Sequence, residues 1–454
     1  MDENSAYKTL YSIDGFRSLR DFSIELHPGL NVLVGPNGSG KTNFIDFLDF
    51  LDHAVYRDIS TAVSSIGGIA RVFSQEIIKK TSPRIYCKIC GVAEIPPKDL
   101  PDDTEKRFFN YEYELEFRFS RRFSAIYISR EVLKLKKIRE LDETHLANVV
   151  VGTITRTHRS PSPEIDPVIK VSNRLYTQNP RNPLRVTYRS HFKDSRTLID
   201  QISQIVLAPD ESFLTARTGL SALSAVGAAI TRGGSFNIDP VKARTPDDLT
   251  RAPVIARDGS GLSSTLYHLQ MSRKETVVSH RTRLRRFTKE SLDMVIEWTR
   301  LVFPELNDIS VVQDPHTGKY LGYLVVGNDK NLRIPLQAAS DGTLKWLCFV
   351  CLLIAPGQAS SIEEPENFLH PKMQQFLVQL VREKAETDKR SGHFVVSTHS
   401  ETLINQCRPN ELTIFRFEGN RTVCGPIKNI DRVQQEINRT GFGLGYYYAS
   451  NSLS

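Results

Sequence analysis

Gly35-Pro36-Asn37-Gly38-Ser39-Gly40-Lys41-Thr42 matches the pattern G-x-x-x-x-G-K-[ST] at every constrained position. The apolar run Asn31–Val34 precedes this octapeptide and is predicted to be a β-strand. From Thr42 to Leu51 the apolar residues have helical spacing. A strand, a glycine-rich turn and a helix in this order are the context that a phosphate-binding loop requires. A chance glycine-rich turn is the alternative, and both flanking elements disfavour it.

The chemistry of this loop explains why these residue types occur together. Glycines allow backbone conformations that turn several N–H groups toward one phosphate chain. The helix that follows adds the positive end of its dipole. Lys41 is predicted to reach the β- and γ-phosphates, and Thr42 is predicted to bind Mg²⁺. The sequence therefore predicts ATP and Mg²⁺ as cofactors, with all eight loop residues at the nucleotide.

A pair of adjacent carboxylates in Ser360-Ser361-Ile362-Glu363-Glu364-Pro365-Glu366 is the second chemical element. A carboxylate at the end of a buried strand is where such an ATPase holds Mg²⁺, and the next one can orient or deprotonate the attacking water. We therefore assign Glu363 to the metal and Glu364 to catalysis. The preceding run Gln358–Ile362 is only weakly apolar, so a plain acidic turn is the alternative.

A histidine that follows an apolar strand is the third element. His399 comes directly after Phe394-Val395-Val396-Ser397-Thr398, and it lies 35 positions beyond Glu364. That distance leaves room for one helix and one strand of a parallel sheet. A histidine there can bond the γ-phosphate and report its presence, which makes His399 the second catalytic candidate. An ordinary surface histidine is the alternative.

Taken together, the motifs resemble the RecF/SMC-like branch of ABC-type ATPases, a group known as "AAA family ATPase", many members of which belong to bacterial anti-phage systems. The resemblance implies an α/β fold: an ABC/SMC-type P-loop ATPase head with an antiparallel β-subdomain and an inserted helical or irregular lobe. It covers about residues 6–136 and 250–425. The motifs that carry it are Phe16–Leu19, Gly35–Asn43, Ala339–Thr343, Glu363–Glu366, Leu369–Pro371 and Ser397–Ser400.

The resemblance also implies roles for residues outside these three elements. Ser340 and Gly342 resemble the family signature, which contacts the γ-phosphate bound to the opposite subunit of a nucleotide-sandwich homodimer. A simple helix N-cap is the alternative for Ser340. His370 would lie near that interface, Arg17 would reach nucleotide phosphates, and Gln75 would sense Mg²⁺ and water unless it is a surface residue. The acid at Glu363 is a departure, because Asp is commoner there.

Patterning along the chain predicts four parts: residues 1–139 and 251–425 form the ATPase head, 140–250 an inserted lobe, and 426–454 a C-terminal tail. The first three strands look like a β-meander, and alternation of apolar and polar residues over 84–136 predicts an antiparallel sheet with one wet face. The insertion is too short for the long arms of SMC proteins. The inserted lobe and the segment Gly441–Tyr448 are candidate partner contacts, with core positions as the alternative for the tyrosines.

Composition restricts the cellular setting. No stretch approaches the roughly 18 apolar residues that span a bilayer, and the polar N-terminus lacks secretory-signal chemistry, so a cytoplasmic protein without a membrane partner is expected. Two CxxC pairs, Cys87/Cys90 and Cys348/Cys351, could form a zinc site, but their apolar surroundings favour core positions.

Charge leaves a nucleic-acid partner open. The net charge of +7 is a mild excess, and Arg281, Arg285 and Lys289 share one face of a predicted helix. Neighbouring acids favour a solvated face instead.

Two functions follow from these observations. The first is an ATP-binding and hydrolysing switch or sensor that assembles through nucleotide and controls a separately encoded effector, such as a nuclease, in anti-phage defence. No Glu-Gly…Asp-x-Asp arrangement follows His399 to supply a TOPRIM nuclease in the same chain. The alternative is a RecF-like DNA-binding ATPase in recombination or repair. A transporter motor finds no support beyond the shared fold.

Overall fold

The computed structural model describes residues 8–79, 82–95, 107–139, 147–161, 168–171, 207–214, 221–231, 233–274, 287–327, 332–355, 359–387, 393–450 and 452. The chain divides into two compact units, each built from separate segments. Unit 1 comprises residues 1–28, 36–232 and 415–425, and unit 2 comprises residues 29–35, 233–414 and 426–454.

The elements follow in chain order. The strands are β1 Thr9–Asp14, β2 Phe22–Leu26, β3 Gly29–Val34, β4 Arg84–Ile95, β5 Arg107–Ser120, β6 Ala125–Arg139, β7 Ala147–Thr157, β8 Val168–Val171, β9 Gly234–Phe236, β10 Leu306–Asp314, β11 Lys319–Val326, β12 Arg333–Pro335, β13 Ala359–Glu363, β14 His393–Thr398, β15 Leu412–Glu418 and β16 Arg421–Pro426. The helices are α1 Lys41–Tyr56, α2 Ile59–Ser65, α3 Ile69–Val72, α4 Gln75–Ile78, α5 Ser221–Ile230, α6 Pro240–Arg244, α7 Leu262–Lys274, α8 Ser291–Arg300, α9 Asp341–Ile354, α10 Pro371–Thr387, α11 Glu401–Ile404, α12 Ile430–Thr440 and α13 Leu444–Ala449.

A seven-stranded antiparallel sheet dominates unit 1, in the order β2-β1-β4-β5-β6-β7-β8. Along β5, Tyr113, Leu115 and Phe117 are buried, while Glu114 and Glu116 between them are partly exposed. This alternation confirms the predicted antiparallel sheet with one wet face over 84–136. Strands β7 and β8 continue the same sheet, although the sequence analysis placed both in the inserted lobe. The boundaries of that lobe remain predictions.

Aromatic side chains fix helix α1 in unit 1. Phe44, Phe47 and Phe50 lie on the buried face of the helix. Phe16 contacts Phe47 and Phe50 at ring-centroid distances of 5.4 and 5.6 Å. Such tilted and edge-on ring pairs add to the burial of apolar area. The helix predicted after the glycine-rich loop is therefore confirmed, and its orientation depends on packed aromatic rings.

The parallel sheet of unit 2 has β3 at its centre. β3 pairs in parallel with β14 on one side and with the first residues of β15 on the other, and β14 pairs in parallel with β13, which pairs with β9. The predicted β-meander is therefore wrong for its third strand, since β1 and β2 pair with each other and β3 joins a different sheet. The physical reason is burial: five consecutive residues of β3 are buried, as expected for a central parallel strand.

Helix α9 forms the centre of the unit 2 core. Its residues Leu344–Ile354 are all buried, including Trp346, Cys348 and Cys351. Apart from Lys345 these residues are apolar, as expected for a helix in the interior of a large core. The predicted core positions of Cys348 and Cys351 are confirmed. The strands predicted near 309–313 and 320–326 are confirmed as β10 and β11, an antiparallel pair.

Two further observations concern the described part of the chain alone. None of its helices combines the length and the apolarity that crossing a bilayer requires. It also contains no group of three or more histidine, cysteine, aspartate or glutamate side chains arranged to hold a metal ion. Cys87 is a buried free thiol, and Cys90 is half-buried.

Candidate nucleotide-binding site

The glycine-rich loop joins the end of β3 to the start of α1. Gly38 and Gly40 have φ angles of 80° and 102°, in the left-handed region that glycine adopts at no steric cost. A side chain at Gly40 would also lie 1.9 Å from Thr422 Oγ1. Position 40 is therefore restricted to glycine twice over, by its dihedral angle and by the close approach of Thr422.

Within unit 1 the loop presents polar groups suited to a phosphate chain. Lys41 Nζ donates to the carbonyl oxygen of Pro36 at 3.2 Å, so the side chain is folded along the loop. Thr42 is exposed, as Mg²⁺ coordination requires. The buried Ser39 hydroxyl has no hydrogen-bond partner among the described residues. A buried orphan hydroxyl is costly unless a ligand satisfies it, so the loop fits a bound phosphate.

Arg17 is held at the start of α1 in unit 1. Its Nη1 donates to Asn43 Oδ1 at 3.2 Å and pairs with Asp46, and its Nε donates to the Arg71 carbonyl at 2.6 Å. Asn43 in turn donates to Ser18 Oγ at 2.6 Å. Arg17 is thus held against the first turns of α1. Its predicted contact with nucleotide phosphates stays a prediction.

The carboxyl edge of the parallel sheet in unit 2 gathers three predicted elements. Val34 at the end of β3 is in register with Thr398 of β14, and Ser397 is in register with Glu363 at the end of β13. The first loop residue, Gly35, the acidic pair and His399 therefore all leave the same edge of one sheet. Ligands of open α/β sheets bind at this edge.

Glu363 is deeply buried and paired. It is 3% exposed, and its Oε1 accepts a hydrogen bond from Arg257 Nη2 at 2.7 Å. A buried carboxylate needs a cation or several donors to remain charged. Arg257 could not be predicted from the sequence, because it lies 106 residues away from Glu363 and belongs to no motif. Mg²⁺ at Glu363 remains a prediction, in which the metal would share or replace this arginine contact.

Glu364 follows in a left-handed backbone conformation with φ 41°. Its N–H donates to the Ser397 carbonyl at 3.0 Å, which ties the turn to β14. Its carboxylate accepts from Asn367 Nδ2 at 3.1 Å and remains 36% exposed. Non-glycine residues adopt this conformation rarely, and such strain clusters at functional sites. The turn therefore presents Glu364 to solvent beside the buried Glu363.

His399 stands over a fixed carboxylate. Glu366 Oε1 accepts from the Thr398 hydroxyl at 2.8 Å and from the His399 backbone N–H at 3.0 Å. His399 Nδ1 lies 3.6 Å from Glu366 and 3.8 Å from Glu364. The structure thus brings His399 and Glu364 together, as their proposed joint action at a γ-phosphate requires, and it adds Glu366, to which the sequence analysis gave no role.

Ser340 and Gly342 begin helix α9. Ser340 is the N-cap, and its Oγ accepts from Thr343 N–H at 3.2 Å. The adjacent Asp341 pairs with Arg244 Nη2 at 2.7 Å. The N-cap alternative for Ser340 is thus observed, and it does not conflict with anion binding at the same helix terminus. Its contact with an opposite subunit stays a prediction, as does the interfacial position of the exposed His370.

Lys345, one turn further along α9, is a buried cation that the sequence analysis did not single out. It is 1% exposed, and its Nζ donates to the carbonyl oxygen of Glu364 at 3.1 Å. Burial lowers the pKa of Lys345 to about 8, although Glu366 and Glu364 oppose the shift. Its apolar neighbours in the helix gave no sign that a charge there would face the acidic turn.

Two predicted groups, Gln75 and the basic face of Arg281, Arg285 and Lys289, lie partly or wholly outside the described residues. Gln75 begins α4, but its side chain lies outside the described part of the structure, so its predicted role with Mg²⁺ stays a prediction. The basic residues Arg281 and Arg285 also lie outside the described residues. Of the predicted basic face, Lys289 is described, and it is exposed.

Comparisons with known proteins agree with this arrangement. A family model described as "AAA domain, putative AbiEii toxin, Type IV TA system" matches residues 237–405, which include Ser340, Glu363 and His399. A second model, described as "AAA domain", matches residues 12–156, which include the glycine-rich loop. The predicted resemblance to RecF/SMC-like ATPases is confirmed.

Short stretches match curated relatives. The chain is 41% identical over 59 residues to the DNA replication and repair protein RecF of Acidothermus cellulolyticus, covering 13% of this chain and 15% of that protein. It is 37% identical over 86 residues to RecF of Brucella abortus, covering 18% and 20% of the two proteins. The matched stretches thus span no more than a fifth of these relatives.

Solved SMC head domains are similar over most of their length at low identity. One, described as the SmcHead bound to the C-winged helix domain of ScpA, has a TM-score of 0.48 at 12% identity and covers 94% of this chain and 99% of its own. Another, a Smc head domain with an extended coiled coil bound to the C-terminal domain of ScpA derived from Pyrococcus furiosus, has a TM-score of 0.46 at 10% identity, covering 95% and 99%.

Proposed function

We propose that this chain, which matches AAA-domain models over two segments, binds and hydrolyses ATP and assembles through the bound nucleotide. The assembled form would control a separately encoded effector, such as a nuclease, in anti-phage defence. The observation that carries the proposal is the single sheet edge from which Gly35, the pair Glu363–Glu364 and His399 emerge. The family description that mentions a putative toxin is compatible with a defence role.

Each residue has a part in this proposal. The loop amides, the Ser39 hydroxyl and Lys41 would bind the phosphates. Thr42 and Glu363 would hold Mg²⁺, which neutralises phosphate charge when bound. Glu364 orients the attacking water and accepts its proton. His399 donates to the γ-phosphate, and the carboxylate of Glu366 fixes its position.

Ser340 is the residue through which we propose that the subunits assemble. Its hydroxyl and the first amides of α9 form an anion site at a helix N-terminus, which we propose contacts the nucleotide of a second copy. ATP then joins two subunits, and hydrolysis releases them. Turnover is expected to be slow, because the site is complete in the assembled form alone.

The mass of the purified protein in solution, measured with and without Mg-ATP, tests this proposal. Wild type should gain mass with Mg-ATP, Lys41→Ala should not, and Glu364→Gln should stay assembled. Glu364→Gln should also lower the hydrolysis rate at least 100-fold, the range for loss of a general base. Glu418→Gln, an exposed carboxylate in the β15–β16 turn region, is the matched control and should behave as wild type.

Two results would contradict parts of this proposal. If the mass is indifferent to ATP in all four proteins, assembly does not depend on nucleotide, and the proposed nucleotide-gated assembly is wrong. Hydrolysis that survives in Glu364→Gln would remove that residue from catalysis while leaving nucleotide-dependent assembly to the mass measurement.

A further inference from the structure

The C-terminal residues Gly441–Ser450, here called the tail segment, contact Gly35, the first residue of the phosphate loop. The backbone N–H of Gly35 donates a hydrogen bond to the Tyr448 hydroxyl. Gly35 is the first residue of the loop and is buried. Both residues belong to unit 2. Tyr448 thus contacts the residue that directly follows β3, although the two residues are 413 positions apart in the sequence.

The tail segment is also attached to the helix that follows His399. Asn405, at the C-terminus of α11, accepts a hydrogen bond from Gly445 N–H at 2.7 Å. A side chain at Gly445 would lie 2.6 Å from the Glu401 carbonyl oxygen, so helices α11 and α13 pack with backbone against backbone. Leu444 next to it is 3% exposed and belongs to the unit 2 core.

Helix α11 is itself anchored next to His399. Its N-cap Ser400 accepts from Leu403 N–H at 3.4 Å and donates to Gln374 Oε1 at 2.7 Å. A continuous path of bonds and packed backbone therefore runs from His399 through α11 to α13, and from Tyr448 to Gly35. The two elements expected to contact the β- and γ-phosphates are joined by the tail segment.

We propose that Tyr448 is a positioning residue for the nucleotide site, and that the tail segment holds the phosphate loop in its binding-competent shape and couples it to His399. This proposal is built on the proposed ATP-binding function and adds a means of regulation. A force or partner that lifts α13 from α11 would release Gly35 and weaken ATP binding. The loop amides must be pre-oriented to bind phosphate without a large ordering cost, which is why one bond at the loop entrance matters.

Three consecutive tyrosines supply the variant and its control. Tyr448→Phe removes the hydroxyl that bonds Gly35 and keeps the ring. Tyr446→Phe removes a hydroxyl from the same helix, but this side chain is 48% exposed and stacks on Phe442 at 4.4 Å. Asn405→Ala, which removes the acceptor for Gly445 N–H, loosens the tail without touching the tyrosines.

Hydrogen exchange of the nucleotide-free protein is the first readout. Tyr448→Phe should accelerate amide exchange in the peptide containing Gly35–Ser39, and Asn405→Ala should do so in the same direction. Tyr446→Phe should match wild type. The affinity for Mg-ATP is the second readout, and Tyr448→Phe should raise Kd about three- to tenfold, the fold-change expected for one net hydrogen bond.

The two readouts separate this proposal from the one on which it depends. If wild type binds no ATP, the proposed function fails, and loop exchange still shows whether Tyr448 holds the loop. If Tyr448→Phe exchanges at the rate of Tyr446→Phe, the positioning role is wrong, whatever the ATP affinity. If loop exchange rises while Kd stays constant, the tail supports the loop but does not regulate binding, and the regulatory part is overturned.

Discussion

At the scale of single residues, the acidic turn depends on cations that the core supplies. Lys345 is a buried ammonium whose hydrogen bond to the Glu364 carbonyl and whose proximity to two carboxylates offset its loss of water only in part. Lys345 Nζ also lies 5.7 and 5.9 Å from the ring centroids of Phe349 and Phe368. These cation–π contacts give some further stabilisation. The buried ammonium of Lys345 in the first turns of α9 is costly, but its hydrogen bond fixes the backbone at Glu364.

The cost of Lys345 should appear in the pH dependence of stability. Because its folded-state pKa of about 8 is below its usual 10.5, the unfolded chain binds the proton more tightly. The penalty, on the order of 3 kcal/mol, is complete below pH 8 and disappears as pH rises toward 10.5. Urea midpoints in metal chelator should therefore show wild type gaining stability relative to Lys345→Met between pH 7.5 and 10.

An exposed lysine gives the control for this measurement. Lys289→Met removes one exposed ammonium, and its difference from wild type should stay constant over the same pH range. If Lys345→Met also keeps a constant difference, the ammonium is not desolvated in the folded state, and its role in fixing Glu364 loses its energetic basis.

The candidate site residues divide by how locally they are encoded. The glycine-rich loop, Glu363–Glu364 and His399 could be predicted because each sits in a short pattern whose neighbours define its chemistry. Arg257 and Lys345 could not, because their partners lie 106 and 19 positions away and are brought close by folding alone. Tyr448 could be suspected as part of an aromatic cluster, but its bond to Gly35 required the structure.

At the scale of elements, the strands were predictable where alternation and pairing are local. The long strands β4, β5 and β6 alternate strictly and pair with their sequence neighbours, so their sheet could be predicted. The pairing of β3 with β14 joins residues more than 360 positions apart, for which no local signal exists. In the structure, its five consecutive buried residues distinguish β3 from β1 and β2, in which burial alternates.

A buried ion pair attaches the segment 207–214 to the antiparallel sheet of unit 1. Arg156 on β7 and Glu131 on β6 are both fully buried, and Arg156 Nη1 lies 3.6 Å from Glu131 Oε2. Arg156 Nη2 donates to the Ala208 carbonyl at 2.7 Å, and Glu131 accepts from Phe213 N–H at 3.1 Å. Desolvation raises the pKa of Glu131 and lowers that of Arg156, while each opposes the shift of the other.

Removing one partner of this pair should be far more harmful than removing an exposed arginine. Arg156→Met leaves Glu131 buried without its cation, so that the carboxyl group must stay charged without compensation or take up a proton. Either response should cost about 3–5 kcal/mol of unfolding free energy. Arg130→Met, on the neighbouring strand, removes a half-exposed arginine and should cost less than about 1 kcal/mol. Denaturant unfolding of both variants measures the contrast, and equal costs would mean that water or relaxation compensates the buried carboxylate.

At the scale of the whole molecule, charge bears on the choice between a switch and a DNA-binding protein. A net charge of +7 over 454 residues attracts nucleic acid weakly at any surface. The matches to the two RecF proteins cover 15% and 20% of those proteins and leave the rest of them unmatched. In unit 1 the polar face of the antiparallel sheet pairs its cations internally, as Lys134 and Lys136 do with Glu112. Such paired lysines add little to a phosphate-binding surface.

DNA binding should therefore be weak and independent of nucleotide. We expect duplex dissociation constants of about 10⁻⁴ to 10⁻⁶ M near physiological salt, the range of non-specific binding. The dissociation constants for Glu364→Gln with Mg-ATP should equal those for Lys41→Ala, because we expect the proposed assembly to create no new phosphate-binding surface. Titrations over a salt series measure both dissociation constants. The duplex should stay intact under the proposed function, in which a second protein is the effector. Affinity that rises many-fold in the ATP-trapped variant, with a steep salt slope, would instead support the RecF-like alternative, since counterion release from many phosphates requires a surface formed by assembly.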